Sequence, residues 1–460
     1  MNTMSERSVP ARVPIQYSDT DKDFMKKEAQ DILDEIAELS ENKKSIIYPN
    51  QQNTAQRVAE SWADPTKLIT MVLAMTQSGK TGTMLSLLKI LYESDEFSSP
   101  PLDNVFIITG LSDLEWKKQT CERMPPLLKP NIYHRPNLKK HFLEKVRTMK
   151  DVIIIIDEAQ IASKKDQTLY KIFKEIGLFD IRQLTQRNIR IVMFTATPSG
   201  LQHELEGWGP HQSNIIMELP ENYTSPMDLL TRGNVKEFKN ISGITRNGTQ
   251  ILTEEELKTN LDELKEAVSS FSEPKYHLIR VHKGTIGRKA IENVMGLFSE
   301  DGFEFLRYFI NSPTDTIKGK SSVRDFTDDI PYTGDDINQT LLKRPRKHTI
   351  IFIKDRLRCA KTLIKKHIGI EYERMSNLRS DEVVIQSVRL TGYDCMANAI
   401  IFSGIDSIMQ YQKLFDSQFG DKSINWKSST TSFNKSENVS VPKETFLNTG
   451  HVIGLEQVMG

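Results

Sequence analysis

The sequence predicts an α/β protein in which two parallel-sheet domains follow one another, the second compact, with an N-terminal helix before them and a polar C-terminal tail behind. Three observations carry that prediction. Short apolar runs without polar interruption, the mark of strands buried on both faces, alternate with stretches of helical spacing. Two such series stand on either side of a polar, charged segment at about 221–272. The chain, at 460 residues, is also longer than one hydrophobic core usually serves, since cores stop growing at about 250–300 residues.

Each element follows from local pattern. In 21–40, Phe24, Ala29, Ile32, Leu33, Ile36, Ala37 and Leu39 recur at helical spacing between charges, which predicts an amphipathic helix inside an N-terminal extension, 1–46. The first domain, 47–220, has apolar runs at 68–74, 105–109, 152–156 and 189–194, all read as buried strands. The segment 221–272 is a partly helical connector, with Leu257, Leu261 and Leu264 on one helix face. The second domain, 273–412, has candidate strands at 276–281, 303–309, 349–353 and 399–402 and a candidate helix across 357–367. It carries an insertion near 311–347: residues 311–338, rich in Asp, Ser, Thr, Gly and Pro, read as an exposed loop, and the basic cluster Lys343, Arg344, Arg346 and Lys347 follows. A Ser-, Asn- and Lys-rich tail occupies 413–460.

The chemistry starts at Ala74-Met75-Thr76-Gln77-Ser78-Gly79-Lys80-Thr81, between an apolar strand and an apolar helix, the context a Walker A loop requires. Gly79 lets the backbone wrap phosphates, and the N–H groups of Gln77, Ser78, Gly79, Lys80 and Thr81 lie where a helix N-terminus favours negative charge. Lys80 reaches the terminal phosphates and the Thr81 hydroxyl holds Mg2+. Further on, Ile153-Ile154-Ile155-Ile156 runs into Asp157-Glu158-Ala159-Gln160, a buried strand ending in adjacent carboxylates. Paired with the loop, Asp157 suits the Mg2+ shell and Glu158 suits orienting and deprotonating the attacking water. A third strand ends in Thr195-Ala196-Thr197-Pro198, whose hydroxyls can link the carboxylates to the rest of the domain.

The set QSGKT, DEAQ and TATP, in this order, resembles the first motor domain of superfamily 2 helicases and translocases over about residues 47–200. The resemblance implies two RecA-like domains with ATP and Mg2+ as cofactors at their interface and DNA or RNA as the track. It implies that Gln51, with Gln52 as a near competitor, reads adenine, and that Ile108-Thr109-Gly110-Leu111-Ser112 touches the nucleic-acid backbone. In the second domain, the run from Ile351 to Leu363 and the run from Val384 to Tyr393 are similar to motifs V and VI, closest to a QSGKT-bearing helicase-like domain of endonuclease-associated ATPases and of large DNA viruses and phages. Carried over by position, Gln386 and Arg389 approach the terminal phosphate, Arg389 as an arginine finger, although Val388 stands where that pattern has glycine. Arg358 and Lys361 are candidates for contacts to nucleic-acid phosphate, for coupling the two domains, or for a solvated helix face, and Arg280 for facing the substrate groove.

Composition narrows the alternatives. With 38% hydrophobic and 27% charged residues, a mean hydropathy of -0.43, no apolar run near the ~20 residues of a bilayer span and no apolar block at the start, a membrane or exported protein is not expected. Three cysteines, Cys121, Cys359 and Cys395, are too few and scattered for a disulfide framework or a four-ligand zinc site. Lys plus Arg and Asp plus Glu both number 61, so net charge points to no partner. No His-Asn-His arrangement or metal-ligand spacing supports a nuclease. The expectation is a nucleic-acid-dependent ATPase in the cytoplasm or nucleus of a host cell, or packaged in a virion, with viral or phage proteins as candidate partners; the alternative is an ATP-switched assembly, packaging or virion component without unwinding activity.

Overall fold

The computed structural model describes residues 9–94, 97, 99–112, 114–159, 167–196, 206–245, 248–309, 329–334, 336–354, 356–357, 362–374, 390–393, 398–421, 423–424 and 426. It separates into two compact units, one built on Met1–Pro220 with Ser417–Ser423 and the other on Glu221–Asp416. The tail beyond 426, most of the insertion, and Asp355, Arg358, Cys359, Ala360, Lys361, Gln386, Arg389 and Cys395 lie outside the described residues.

In the first unit, strands β1 (Ile69–Leu73), β2 (Val105–Thr109), β3 (Ile132–Tyr133), β4 (Val152–Asp157), β5 (Ile189–Thr195) and β6 (Gln212–Ile216) form one sheet in the order β3-β2-β4-β5-β1-β6. Every pairing is parallel. The four central strands are buried along their whole length, as their predominantly apolar sequences require, with Arg190 of β5 buried among them. Helix α1 (Asp19–Glu41) opens with a Ser18–Asp21 capping box and buries Ile32, Ile36 and Leu39. Phe24, predicted on that face, is instead exposed, because the buried stripe begins further along the helix. Helix α2 (Pro49–Ala63) and helix α3 (Lys80–Glu93) pack on each other, and α1 packs on α3.

The second unit repeats the plan. Strands β7 (Val235–Glu237), β8 (Tyr276–Arg280), β9 (Glu304–Phe309), β10 (Thr349–Lys354), β11 (Ile368–Tyr372) and β12 (Ile400–Ser403) form a parallel sheet in the order β7-β12-β11-β8-β10-β9. Its alternating side chains feed two cores. Ile279, Ile350, Phe352 and Phe402 pack with Leu264, Ala290, Ile291 and Val294 of two helices, Glu254–Ser269 and Gly284–Phe298. Leu278, Ile351, Ile353 and Ile401 pack with Leu229, Ile337, Leu341 and Ile408. Covering both faces is what a parallel sheet needs. The expected α/β class with two parallel sheets in succession is therefore the observed one.

Two expectations for this unit are corrected. The helix across 357–367 is not formed: Leu357 has a φ of 58°, incompatible with continuing a right-handed helix, and 362–367 are non-helical, while 358–361 lie outside the described residues. Arg280 faces no groove. It donates from Nε to Glu373 Oε1 at 2.6 Å and from Nη1 and Nη2 to the carbonyls of Arg356 and Leu357 at 2.8 and 3.0 Å. Among the described residues, no helix is long and apolar enough to cross a membrane.

Candidate nucleotide site at the strand ends of the first unit

The loop after β1 enters α3 through Gly79, whose φ of 101° lies in the left-handed region that glycine adopts without a Cβ penalty. A second reason for glycine comes from below the loop. A Cβ on Gly79 would lie 1.9 Å from Gln51 Nε2, and a Cβ on Gly82 would lie 2.0 Å from Gln51 Oε1. The Gln51 amide thus fills the space that two missing side chains leave. It sits at the third position of α2, is 2% exposed, and its Oε1 accepts the Tyr48 N–H at 3.0 Å. Helix α2 is tied down by Asn50 Nδ2 donating to the Glu218 carbonyl at 3.0 Å and by Arg57 Nη1 donating to the Ile216 carbonyl at 2.9 Å. Within the loop, Ser78 donates through N–H and Oγ to the Met75 carbonyl at 3.1 and 2.7 Å, while Gln77 adopts a φ of 60°. Thr81 is half-buried in the first turn of α3.

The carboxylates arrive on β4. Strand β5 is inserted between β1 and β4, and it ties the two functional strand ends together: the Thr195 carbonyl accepts from Ala74 N–H at 3.0 Å, and the Phe194 carbonyl accepts from Ala159 N–H at 3.2 Å. Thr195 and Ala196 are buried at this junction; Thr197, Pro198 and Gln160 lie outside the described residues. Lys80 Nζ meets Glu158 Oε1 at 2.9 Å, with side chains 13% and 10% exposed. Glu158 has a φ of 51°, a left-handed conformation that costs a non-glycine residue about 1–3 kcal/mol and is held only by its surroundings.

Asp157 is held from two sides. Its Oδ1 accepts the Glu158 N–H at 3.1 Å and its Oδ2 accepts the Trp116 indole N–H at 2.8 Å. Burial, followed by the neighbouring Glu158 charge, pushes the Asp157 carboxyl up to about 6, against the opposing pull of Lys80 and the two hydrogen bonds. Lys80, Asp157 and Glu158 are therefore gathered at one place, with Gln77, Ser78 and Gly79 on the adjoining loop and Thr81 in the first turn of α3. Gln51 lies under that loop, and Gln52 beside it is exposed. Sequence reasoning missed Trp116 altogether; a tryptophan four residues beyond Ser112 was visible, but not which carboxylate it reaches.

No family profile matches the chain. It is 22% identical over 361 residues, 75% of its length and 82% of the relative's, to an uncharacterised protein of Acanthamoeba polyphaga mimivirus. Among solved structures, it matches the Escherichia coli DEAH/RHA helicase HrpB with a TM-score of 0.44 and 12% identity, covering 83% of this chain and 48% of that one. It matches S. cerevisiae Dbp5 bound to RNA and ADP BeF3 with a TM-score of 0.40 and 13% identity, over 82% and 92% of the two chains. The Sulfolobus solfataricus SWI2/SNF2 ATPase core in complex with dsDNA gives 0.30 and 13%, over 84% and 92%.

Proposed function

We propose that this chain is a nucleic-acid-dependent ATPase of superfamily 2 type, which couples ATP hydrolysis to movement along, or unwinding of, DNA or RNA. One observation carries the reading: the Lys80 ammonium and the Glu158 carboxylate meet at 2.9 Å across the gap between a glycine-shaped loop and an acidic strand end, beside a doubly anchored Asp157. Phosphate transfer to water needs these parts together: backbone N–H groups and an ammonium for the phosphates, and a carboxylate to take a proton from water.

The donor set fits Mg2+. Two carboxylates stand against one ammonium, the Asp157 carboxyl is pushed up first by its burial and then by the neighbouring Glu158 charge, and a hard dication prefers such oxygen ligands. Asp157 and the Thr81 hydroxyl are the residues that would hold it; when bound, Mg2+ neutralises charge on the terminal phosphates. The protein's own part is then specific. Gly79 and Gly82 let the loop settle on Gln51, Lys80 leaves Glu158 for the phosphates, and the released Glu158 orients and deprotonates water. Gln386 and Arg389 complete the proposed set at the terminal phosphate, and the loop at 109–112 takes backbone phosphates without reading sequence. Base selectivity belongs to the Gln51–Gln52 end of α2, and comparing ATP with GTP hydrolysis in Gln51→Ala and Gln52→Ala separates the two amides.

The direct test is nucleotide binding by calorimetry with ATP and Mg2+. Wild-type protein binds, Glu158→Gln binds and retains unhydrolysed ATP, and Arg389→Ala binds but turns over slowly. A wild-type chain without measurable ATP binding would remove the proposal.

A further inference from the structure

We infer that Trp116 is a positioning residue that couples the loop at 109–112 to the carboxylate at Asp157, so that polynucleotide held by the loop tunes how that carboxylate is presented. The inference rests on the ATPase reading above and concerns how its two ligands communicate.

The geometry joins loop and carboxylate twice. Strand β2 delivers the loop, and its last residue, Thr109, is the register partner of Asp157 on β4. Helix α4 (Leu114–Arg123) leaves the other end of the loop and, within its first turn, returns the Trp116 indole to donate to Asp157 Oδ2 at 2.8 Å. The loop is itself pinned: Leu111 N–H donates to Thr109 Oγ1 at 3.3 Å, and the Leu111 carbonyl accepts the Arg135 N–H at 2.9 Å. Gly110 and Leu111 are buried while Ser112 is exposed, so a backbone phosphate would meet the segment at its helix-facing end.

A buried indole is an expensive way to fill space beside a carboxylate unless its N–H is used. Trp116 is 3% exposed and its N–H is spent on one of the two Asp157 oxygens, while the Glu158 N–H is spent on the other. The carboxylate plane is thereby fixed from both sides of the strand end. A displacement of α4 transmitted from the loop must rotate this carboxylate or break the hydrogen bond. Both outcomes change the ligand that the proposed Mg2+ would use, which gives the coupling a definite physical carrier.

The chain has four tryptophans, so protein labelled with 15N-tryptophan reports on the contact through few indole signals. Trp116 is assigned by the signal that Trp116→Phe removes or, should that variant not fold, by the signal that Mn2+ with ADP broadens most. The expected result is that this signal shifts with Mg2+ and ADP, and shifts again when oligothymidylate or polyuridylate is added without nucleotide. Trp116→Phe then needs about tenfold more Mg2+ for half-maximal hydrolysis, the loss expected for one hydrogen bond to a charged group, and it loses most of its stimulation by polymer. A wild-type protein that binds and hydrolyses ATP while the Trp116 signal ignores both polymers would overturn the coupling alone. Four indole signals indifferent to Mg2+ and ADP, together with no ATP binding by calorimetry, would overturn the ATPase reading with it.

Discussion

At the C-terminal ends of its strands the first unit gathers Lys80, Asp157 and Glu158, whereas the second gathers Arg280 and Glu373, and the two sets differ in what their charges face. Both sheets are parallel and both pairs are short, 2.9 Å for Lys80–Glu158 and 2.6 Å for Arg280–Glu373. In the second unit, though, the guanidinium is consumed by one carboxylate and two main-chain carbonyls. The first pair stands next to a glycine loop, with side chains 13% and 10% exposed. The glycines follow the same division: Gly82 makes room for a side chain, Gln51, while Gly287 makes room for the protein's own backbone, since a Cβ there would lie 1.8 Å from the His282 carbonyl. Strand ends of parallel sheets offer a place for ligands, but residue chemistry decides which end is used.

The comparison breaks most visibly at the pair proposed to be catalytic. Lys80→Ala and Glu158→Gln should each lower ATP hydrolysis by about 10^3-fold, with Glu158→Gln keeping nucleotide affinity; steady-state assays beside calorimetry separate the two effects. If either variant hydrolysed ATP at the wild-type rate, the changed side chain would have no part in the reaction. Arg280→Met should do the opposite, leaving ATP affinity in place while destabilising the second unit by about 3–5 kcal/mol, because Glu373 is left buried without its partner. Urea unfolding measures the loss, and adding Glu373→Leu should restore much of it.

A smaller effect is expected at the loop. Gly82→Ala drives a Cβ into Gln51 and should cost about 1–3 kcal/mol and weaken ATP binding. In a Gln51→Ala background the same change should be nearly neutral, and a persistent penalty there would remove Gln51 from the account of the loop.

The last effect is set by pH in the second unit and is modest within the window of pH 7 to pH 5. His277 Nε2 and His348 Nδ1 are 2.9 Å apart and the Lys275 N–H also points to His348 Nδ1, at 3.4 Å, an arrangement that suits neutral rings. Burial, then His348 and Lys275, pushes His277 down to about 3 from 6.5. With the folded pKa below the unfolded one, the contribution is complete above pH 6.5 and is lost as pH falls from 6.5 toward 3, by up to about 1.4 kcal/mol per pH unit for one group. His277→Gln should flatten that slope in thermal melts of the protein between pH 7 and pH 5.

What the sequence made legible follows from burial. Strands β1, β2, β4, β5, β10 and β12 are largely apolar because both sheet faces are covered, β8 and β9 keep enough Leu, Ile, Phe and Tyr among their charged residues to be read, and each was anticipated within a residue or two. The remaining strands lack that signal. Residues 132–133 and 235–237 are too short to show a pattern, 212–216 reads Gln-Ser-Asn-Ile-Ile at a sheet edge, and 368–372 is interrupted by Gly369 and Glu371. Gly369 is demanded by packing invisible in one dimension, since a Cβ there would lie 2.9 Å from Lys275 Cβ and 3.0 Å from His277 Cε1. At the site, Lys80, Asp157 and Glu158 were readable because loop and strand end carry their chemistry locally. Trp116, 41 residues from Asp157, and Glu373, 93 residues from Arg280, were not, because each contact is made by the fold rather than by spacing along the chain.

The central claim is met most directly by steady-state ATP hydrolysis measured with no polymer, single-stranded DNA, duplex DNA and RNA in parallel, with Glu158→Gln as the control for contaminating activity. The account predicts hydrolysis that one of these polymers stimulates strongly and that vanishes in Glu158→Gln. Hydrolysis indifferent to every polymer would contradict it and favour an ATP-switched assembly component.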